Sequence, residues 1–148
     1  MTKFPLFLWL LLMIEETDIR IGNMVWYYDY NMIETVFRVE GIAEGFVYNS
    51  GLPRNRLPLE KVHPLALDAD HLLKFGFLPG EESYGEDPDT YSYKYSRTDS
   101  VYIRETNGAF QPLATSKSGL APYGRPLHHV HQLQNLFYDL TREDVFTR

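Results

Sequence analysis

The histidines near the carboxyl end of the chain come closest to the spacing of a metal site. His128 and His131 are three positions apart, so a helix would place both imidazoles on one face, where they could ligate zinc or a similar metal. A third ligand could come from Asn135 or Asp139, but amides are poor zinc ligands, and Gln132 stands where an HExxH motif has its glutamate. The alternative is that these polar side chains bond to neighbouring backbone. We therefore predict no metal and no cofactor, and keep His128 and His131 as candidates only.

Two stretches combine aromatic side chains with arginines. Aromatic rings beside cationic groups can stack bases or small nucleotide ligands. The candidate ligand-binding residues are Arg20, Trp26, Tyr28 and Arg38 in the first stretch and Tyr93, Tyr95 and Arg104 in the second. The alternative is an ordinary sheet, in which one face of each strand enters the core and the other face exposes its tyrosines.

Other arrangements that would support catalysis are incomplete. The acidic stretch 81–90 lacks the spacing of a twelve-residue calcium loop, so we interpret it as a solvated loop. Ser100, Ser116 and Ser118 lack a G-x-S-x-G context, and the chain has no P-loop and no G-x-G-x-x-G motif. The sequence contains no cysteine, which excludes disulfides, thiolate catalysis and Cys-ligated zinc. We therefore predict a binding protein and not an enzyme.

The composition of the 148 residues is that of an ordinary globular protein. Hydrophobic residues make up 44 % and charged residues 23 % of the chain, which excludes a wholly disordered chain and a coiled coil. Aromatic residues reach 15 %, enough to give a small fold large side chains for its core. The net charge of −6 argues against binding to the phosphate backbone of nucleic acids.

Residues 1–14 form a hydrophobic segment of their own. They read MTKFPLFLWLLLMI, which resembles the start of a secretory signal, but no small-residue cleavage site follows. The apolar run is too short to span a bilayer as a helix. Translation from Met13 would remove most of this segment as an upstream-start artefact, whereas a genuine helix would dock on the protein or touch a membrane. We expect no membrane association unless residues 1–14 are real.

Residues 15–62 predict a small β-barrel-like unit. Short runs of β-branched and aromatic residues, among them 24–28 and 35–39, alternate with turns rich in Gly and Asn. Four or five such strands within about 45 residues favour a small, strongly bent antiparallel barrel.

Residues 63–148 predict a short helix, a β-hairpin, a long loop and a C-terminal helix, in one compact α+β fold with the barrel. Asp68 can cap a helix that ends near Gly76, and the alternation over 91–95 predicts a strand paired with 101–105. The composition of 111–126 predicts a long surface loop. The residues expected to form the buried stripe of the last helix are Val130, Leu133, Leu136, Phe137 and Leu140. Pattern alone leaves open whether barrel and hairpin share one sheet.

Three segments of the chain have a familiar form. They are DIRIGN at 18–23, PLAL at 64–67 with LLKFGF at 72–77, and VHQLQNL at 130–136 followed by Leu140-Thr141. Together they resemble an uncharacterised family of small proteins encoded by Bacteroidetes phages and prophages. That family commonly starts a few residues before the first motif, which favours Met13 as the start. The chain departs from the family in the long loop 109–126 and in Arg142, where a glycine is expected.

The resemblance implies a phage or prophage context and a cytoplasmic site of action in the infected bacterium, and it implies no reaction. With the aromatic and arginine residues, it leads to a specific prediction. The chain is a non-enzymatic phage accessory protein and a host-defence antagonist, which either sequesters a small nucleotide signal or blocks a host protein. Two alternatives remain open, namely a nucleic-acid-binding barrel module and a metal-dependent enzyme centred on the histidines. The oligomeric state is not predicted.

Overall fold

The computed structural model describes Ile14 and residues 18–144, and the chain divides into two compact units, Met1–Leu65 and Ala66–Arg148. Apart from Ile14, the predicted hydrophobic segment lies outside the described residues. Within the described residues, no helix has both the length and the apolar character needed to cross a membrane.

The described residues of unit 1 form two three-stranded antiparallel sheets. The first has the order β2-β1-β6, with β1 at Met24–Tyr28, β2 at Glu34–Arg38 and β6 at His63–Pro64. The second has the order β3-β4-β5, with β3 at Gly41–Ala43, β4 at Phe46–Tyr48 and β5 at Arg56–Pro58. Both sheets are open. The predicted α+β class is confirmed for the molecule, whereas a closed barrel is not.

The hairpin between β1 and β2 is set by one aspartate. The Oδ1 atom of Asp29 accepts hydrogen bonds from the backbone N–H groups of Asn31, at 2.9 Å, and of Ile33, at 3.0 Å. Met32 has a positive φ of 60°, and its N–H donates to the Asp29 carbonyl. Aspartate is favoured in such turns because its short carboxylate can satisfy nearby backbone donors.

Aliphatic side chains form the core of unit 1. In β1 the burial alternates, so that Val25 and Tyr27 are buried while their neighbours are not. The buried cluster comprises Ile14, Ile19, Val25, Val39, Val47 and Val62. Each such side chain contributes about 1.5–3 kcal/mol on burial, and β-branched residues also fit the extended backbone of the strands.

Unit 2 is a five-stranded antiparallel sheet with two helices. The helices are α1 at Ala69–Lys74 and α2 at Val130–Thr141. The sheet order is β11-β10-β9-β8-β7, with β7 at Leu78–Pro79, β8 at Thr90–Lys94, β9 at Ser100–Thr106, β10 at Ala109–Ser116 and β11 at Gly119–Pro122. A short 3-10 turn spans Glu82–Tyr84.

The predicted long loop at 109–126 is wrong, because most of it is the hairpin of β10 and β11. Asn107 and Gly108 have φ values of 52° and 78°, and they form the two-residue connection between β9 and β10. Two successive positive φ angles characterise the turn whose twist matches that of a β-hairpin, and Asn-Gly is its preferred pair. The loop was predicted because the Pro and Ser content of 111–126 outweighed this turn signal.

The ends of α1 are as predicted to within a residue. The Oδ1 atom of Asp68 accepts a hydrogen bond from the His71 N–H at 2.8 Å, which caps the first turn. Beyond the helix, Gly76 has a φ of 98°. A Cβ at Gly76 would also lie 3.1 Å from the ring of Tyr93, so both its backbone conformation and its space favour glycine.

The buried stripe of α2 differs from the predicted one. Val130, Leu133 and Phe137 are almost fully buried, but Leu136 is half-buried and Leu140 is 41 % exposed. His131 and Gln134 are buried instead. The buried positions still follow spacings of three and four, but they include His131 and Gln134. The last of them is Phe137, four residues before the helix ends at Thr141.

Candidate functional site

One face of the five-stranded sheet carries polar side chains that converge. Thr90 pairs with Arg104, and Ser92 pairs with Tyr102. Directly opposed residues in an antiparallel sheet point to the same face, so these four side chains share one surface. The intervening residues, such as Ile103, point to the opposite face and are buried.

A loop borders this face between β7 and β8. The Gly80 N–H donates to the carbonyl of Thr90 at 2.8 Å, and the Thr90 N–H donates to the carbonyl of Asp87 at 3.1 Å. The Oδ1 atom of Asp87 accepts from the Asp89 N–H at 2.9 Å. A Cβ at Gly80 would collide with the Asp87 carbonyl oxygen, so glycine is needed where the two backbone segments meet. The acidic stretch predicted as a solvated loop is exposed, and these hydrogen bonds hold it beside the sheet face.

The acidic loop and the sheet face together line an open cleft of about 200 Å³. Its lining combines one arginine, two carboxylates, three hydroxyl groups and one aliphatic side chain. With one glycine, the lining residues are Gly80, Glu86, Asp87, Thr90, Ser92, Tyr102, Arg104 and Leu120.

The guanidinium of Arg104 is held through its Nε atom. Nε lies 3.4 Å from Asp87 Oδ2 and donates to Thr90 Oγ1 at 3.3 Å, and the Thr90 hydroxyl donates to Asp87 Oδ2 at 3.2 Å. Among the described residues, no hydrogen bond or ion pair reaches the two terminal nitrogens of Arg104. The side chain of Arg104 is 40 % exposed and that of Asp87 is 45 % exposed. An ion pair this exposed contributes about 0–1 kcal/mol to stability, so its main effect is to orient the guanidinium.

Of the predicted residues in unit 2, the structure places only Arg104 in the cleft. Tyr93 points to the opposite face of β8, where its ring centroid lies 4.9 Å from that of Phe137 and 5.4 Å from that of Phe77. Tyr95 follows β8, and its N–H donates to the Asp99 carbonyl at 3.1 Å. The aromatic neighbour of Arg104 on its own face is Tyr102, and the two-residue alternation along β9 is the signal that could have identified it.

Tyr91 also points away from the cleft. Burial, followed by the negative charges of Glu105, Asp89 and Asp70, raises the pKa of its hydroxyl above the ordinary value. The Tyr91 hydroxyl therefore stays protonated at neutral pH and cannot serve as a base.

The predicted residues of unit 1 are brought together in part. The ring centroid of Trp26 lies 4.9 Å from that of Tyr28 and 4.5 Å from that of His63, and its Nε1 donates to the Pro64 carbonyl at 3.0 Å. Arg38 lies on the same face of the sheet, two residue pairs along from the Trp26–Val36 pair. Arg20 precedes β1 and is half-buried, and its N–H donates to Asn23 Oδ1 at 2.6 Å. Packing within unit 1 accounts for the contacts of the Trp26 ring and its N–H.

The histidines lie where the chain enters α2. The rings of His129 and His131 are nearly parallel with centroids 5.7 Å apart, and His131 is buried. Burial, and then the charge of His128, lowers the pKa of His129. The Oε1 atom of Gln132 accepts from the N–H groups of His128, at 2.9 Å, and His129, at 3.1 Å, and so caps the helix. In residues 18–144 and Ile14, no group of three or more His, Asp or Glu side chains is placed to hold a metal ion.

The cleft is therefore the place where polar groups with unused hydrogen-bonding capacity meet an aromatic ring. An oriented guanidinium with two available terminal nitrogens can bind a carboxylate or a phosphate through paired hydrogen bonds. No protein-family model, curated protein or solved structure matches this chain.

Proposed function

We propose that the chain is a binding protein whose cleft on the five-stranded sheet holds a small nucleotide-like ligand. The observation that carries this proposal is the guanidinium of Arg104, which Asp87 and Thr90 fix through Nε while its terminal nitrogens keep their donors. A fixed guanidinium binds a phosphate with less loss of side-chain entropy than a mobile one.

The charges around the cleft favour a ligand with few negative groups. Glu86 and Asp87 line the same cleft, and the chain carries a net charge of −6. A polyanion would be repelled by this field. A single phosphate can meet Arg104, while the carboxylate of Glu86 can accept hydrogen bonds from the N–H groups of a nucleobase.

The remaining lining suits a flat ring. Tyr102 provides an aromatic surface and Leu120 an aliphatic one, and the hydroxyl of Ser92 adds a donor and an acceptor. Stacking of a base on an aromatic side chain contributes about 1–3 kcal/mol. A volume of about 200 Å³ is sufficient for a ring of nucleobase size.

We further propose that the ligand is a small nucleotide signal of a bacterial host, which this protein sequesters in the cytoplasm as a phage-encoded defence antagonist. The resemblance of the sequence to phage and prophage proteins supports this setting, and the composition of the cleft supports the class of ligand. Sequestration requires only affinity and slow release, so it needs no catalytic group.

Isothermal titration calorimetry with a panel of linear and cyclic mononucleotides tests the proposal. We expect one or more of them to bind the wild type, and Arg104→Gln to weaken that binding by roughly tenfold or more, as expected for a lost hydrogen bond to a charged group. Arg97→Gln is the matched control, because Arg97 is exposed in the turn between β8 and β9 and does not line the cleft. Absence of heat with every nucleotide, or equal binding by Arg104→Gln, would refute the proposal.

A further inference from the structure

Among the strands formed by Ile14 and residues 18–144, β2 is one edge of the first sheet of unit 1, since the sheet order is β2-β1-β6. The Val39 N–H donates to the Asn23 carbonyl at 2.8 Å, and the Ile33 carbonyl accepts from the Asp29 N–H at 3.0 Å. Backbone groups of a strand point alternately to its two sides. The odd-numbered residues of β2 therefore bond to β1, and Glu34 and Val36 turn their N–H and C=O groups outward.

The side chains of this edge form a self-complementary pattern. Glu34, Val36 and Arg38 lie on one face of β2, with the apolar residue midway between an acid and a base. If a second β2 pairs antiparallel about Val36, each Val36 opposes the other and each Glu34 opposes the Arg38 of the second copy. Parallel pairing in the same register would instead place like charges opposite each other, so the pattern favours the antiparallel orientation and this register.

The apolar surface beside the edge is also exposed. Val36 is 46 % exposed, and Met32 and Ile33 in the adjoining hairpin are 71 % and 59 % exposed. Edge strands with apolar surface tend to pair with further strands unless charges or bulges prevent it. Here the charges on the edge favour a second copy of the same strand.

We propose that two copies of the chain associate through antiparallel pairing of their β2 strands about Val36. The two sheets then join into one continuous sheet of six strands. The edge available for pairing ends at Arg38, because the Arg38 carbonyl accepts a hydrogen bond from Asn49 Nδ2 at 2.6 Å. That carbonyl has a second lone pair for the Glu34 N–H of the other copy, but pairing does not extend beyond it.

The proposal predicts a weak dimer, since the contact is a single short strand on each side and lies at the small end of interface sizes. Sedimentation velocity of the wild type should show a monomer on dilution and a dimer at about 0.1 mM or above. A wild type that stays monomeric across this range overturns the proposal.

Two variants of Val36 separate strand pairing from other modes of association. Val36→Pro removes the outward N–H but no bond to β1, and proline is tolerated at such edge positions, so the variant should fold and remain monomeric. Val36→Thr keeps the N–H and the branched shape and should dimerise like the wild type. A dimer that persists in Val36→Pro overturns the proposal.

A charge exchange provides an independent test that does not involve proline. Glu34→Arg places like charges opposite Arg38 and should lower the association constant by about tenfold or more. The double variant Glu34→Arg with Arg38→Glu restores opposite charges and should restore dimerisation. Failure of the double variant to recover, when circular dichroism shows both variants folded, contradicts the predicted register.

Discussion

Replacing Phe137 by alanine should destabilise unit 2 by about 3–5 kcal/mol, the range for deletion of a buried phenylalanine. Phe137 is 1 % exposed, and its ring meets Tyr93 edge-on at a centroid distance of 4.9 Å and Phe77 at 6.3 Å. Aromatic pairs of this geometry add about 0.5–1.5 kcal/mol beyond the burial of area. Two such contacts are lost together, which places the expected change in the upper half of the range.

The change is large compared with the total stability of a small protein, which is about 5–15 kcal/mol. At roughly 2–4 °C per kcal/mol for a chain of this length, a loss of about 4–5 kcal/mol should lower the Tm by about 8–20 °C. Urea unfolding followed by far-UV circular dichroism and by tyrosine fluorescence measures the effect. Residues 66–148 contain no tryptophan, so tryptophan emission does not report on unit 2.

Leu140→Ala provides the control in the same helix. The helical spacing of apolar residues predicts that Leu140 and Phe137 are equally buried, whereas Leu140 is 41 % exposed. Its replacement should cost less than about 1 kcal/mol, because little area leaves the core. Equal destabilisation by the two substitutions, or a loss below about 1 kcal/mol for Phe137→Ala, would refute the packing described for α2.

Three further substitutions test other parts of unit 2 by urea unfolding. Asp68→Ala should cost about 1 kcal/mol through loss of the cap to the His71 N–H. Gly80→Ala should cost about 1–3 kcal/mol, because the new Cβ displaces the Asp87 carbonyl, and it should weaken ligand binding as well. His129 has a pKa lowered from its ordinary value of 6.5, so the unfolded chain takes up a proton more readily than the folded one. Stability should therefore be full above about pH 6.5 and decline below it, and His129→Asn should reduce this decline.

Signals that act within a few residues predicted the fold well where they were present. The carboxylate of Asp68 and the glycine at position 76 mark the two ends of α1 because capping depends only on adjacent backbone groups. The hairpin of β10 and β11 was missed for the converse reason. The Asn107-Gly108 turn that leads from β9 into β10 was present in the sequence, but the Pro, Ser and Gly content of the residues that follow it outweighed this signal.

The cleft depended on contacts that no local pattern contains. Arg104 was identified from its charge and neighbours, but its partners Asp87 and Thr90 precede it by more than ten positions and reach it only through strand pairing. Tyr93 was predicted beside Arg104, whereas α2 covers the face of β8 to which it points. Alternation along a strand separates residues into two faces, but which face becomes the core is decided by the element that packs on it.

An NMR titration with a nucleoside monophosphate tests the central claim most directly, since backbone amide shifts locate the ligand on the chain. We expect the ligand to shift the amides of Ser92, Tyr102 and Arg104 in the wild type, and Arg104→Gln to need roughly tenfold more ligand for the same shifts at Ser92 and Tyr102. Shifts confined to the surroundings of Trp26 in unit 1, or equal shifts in Arg104→Gln at the same ligand concentrations, would contradict the assignment of the cleft as the binding site.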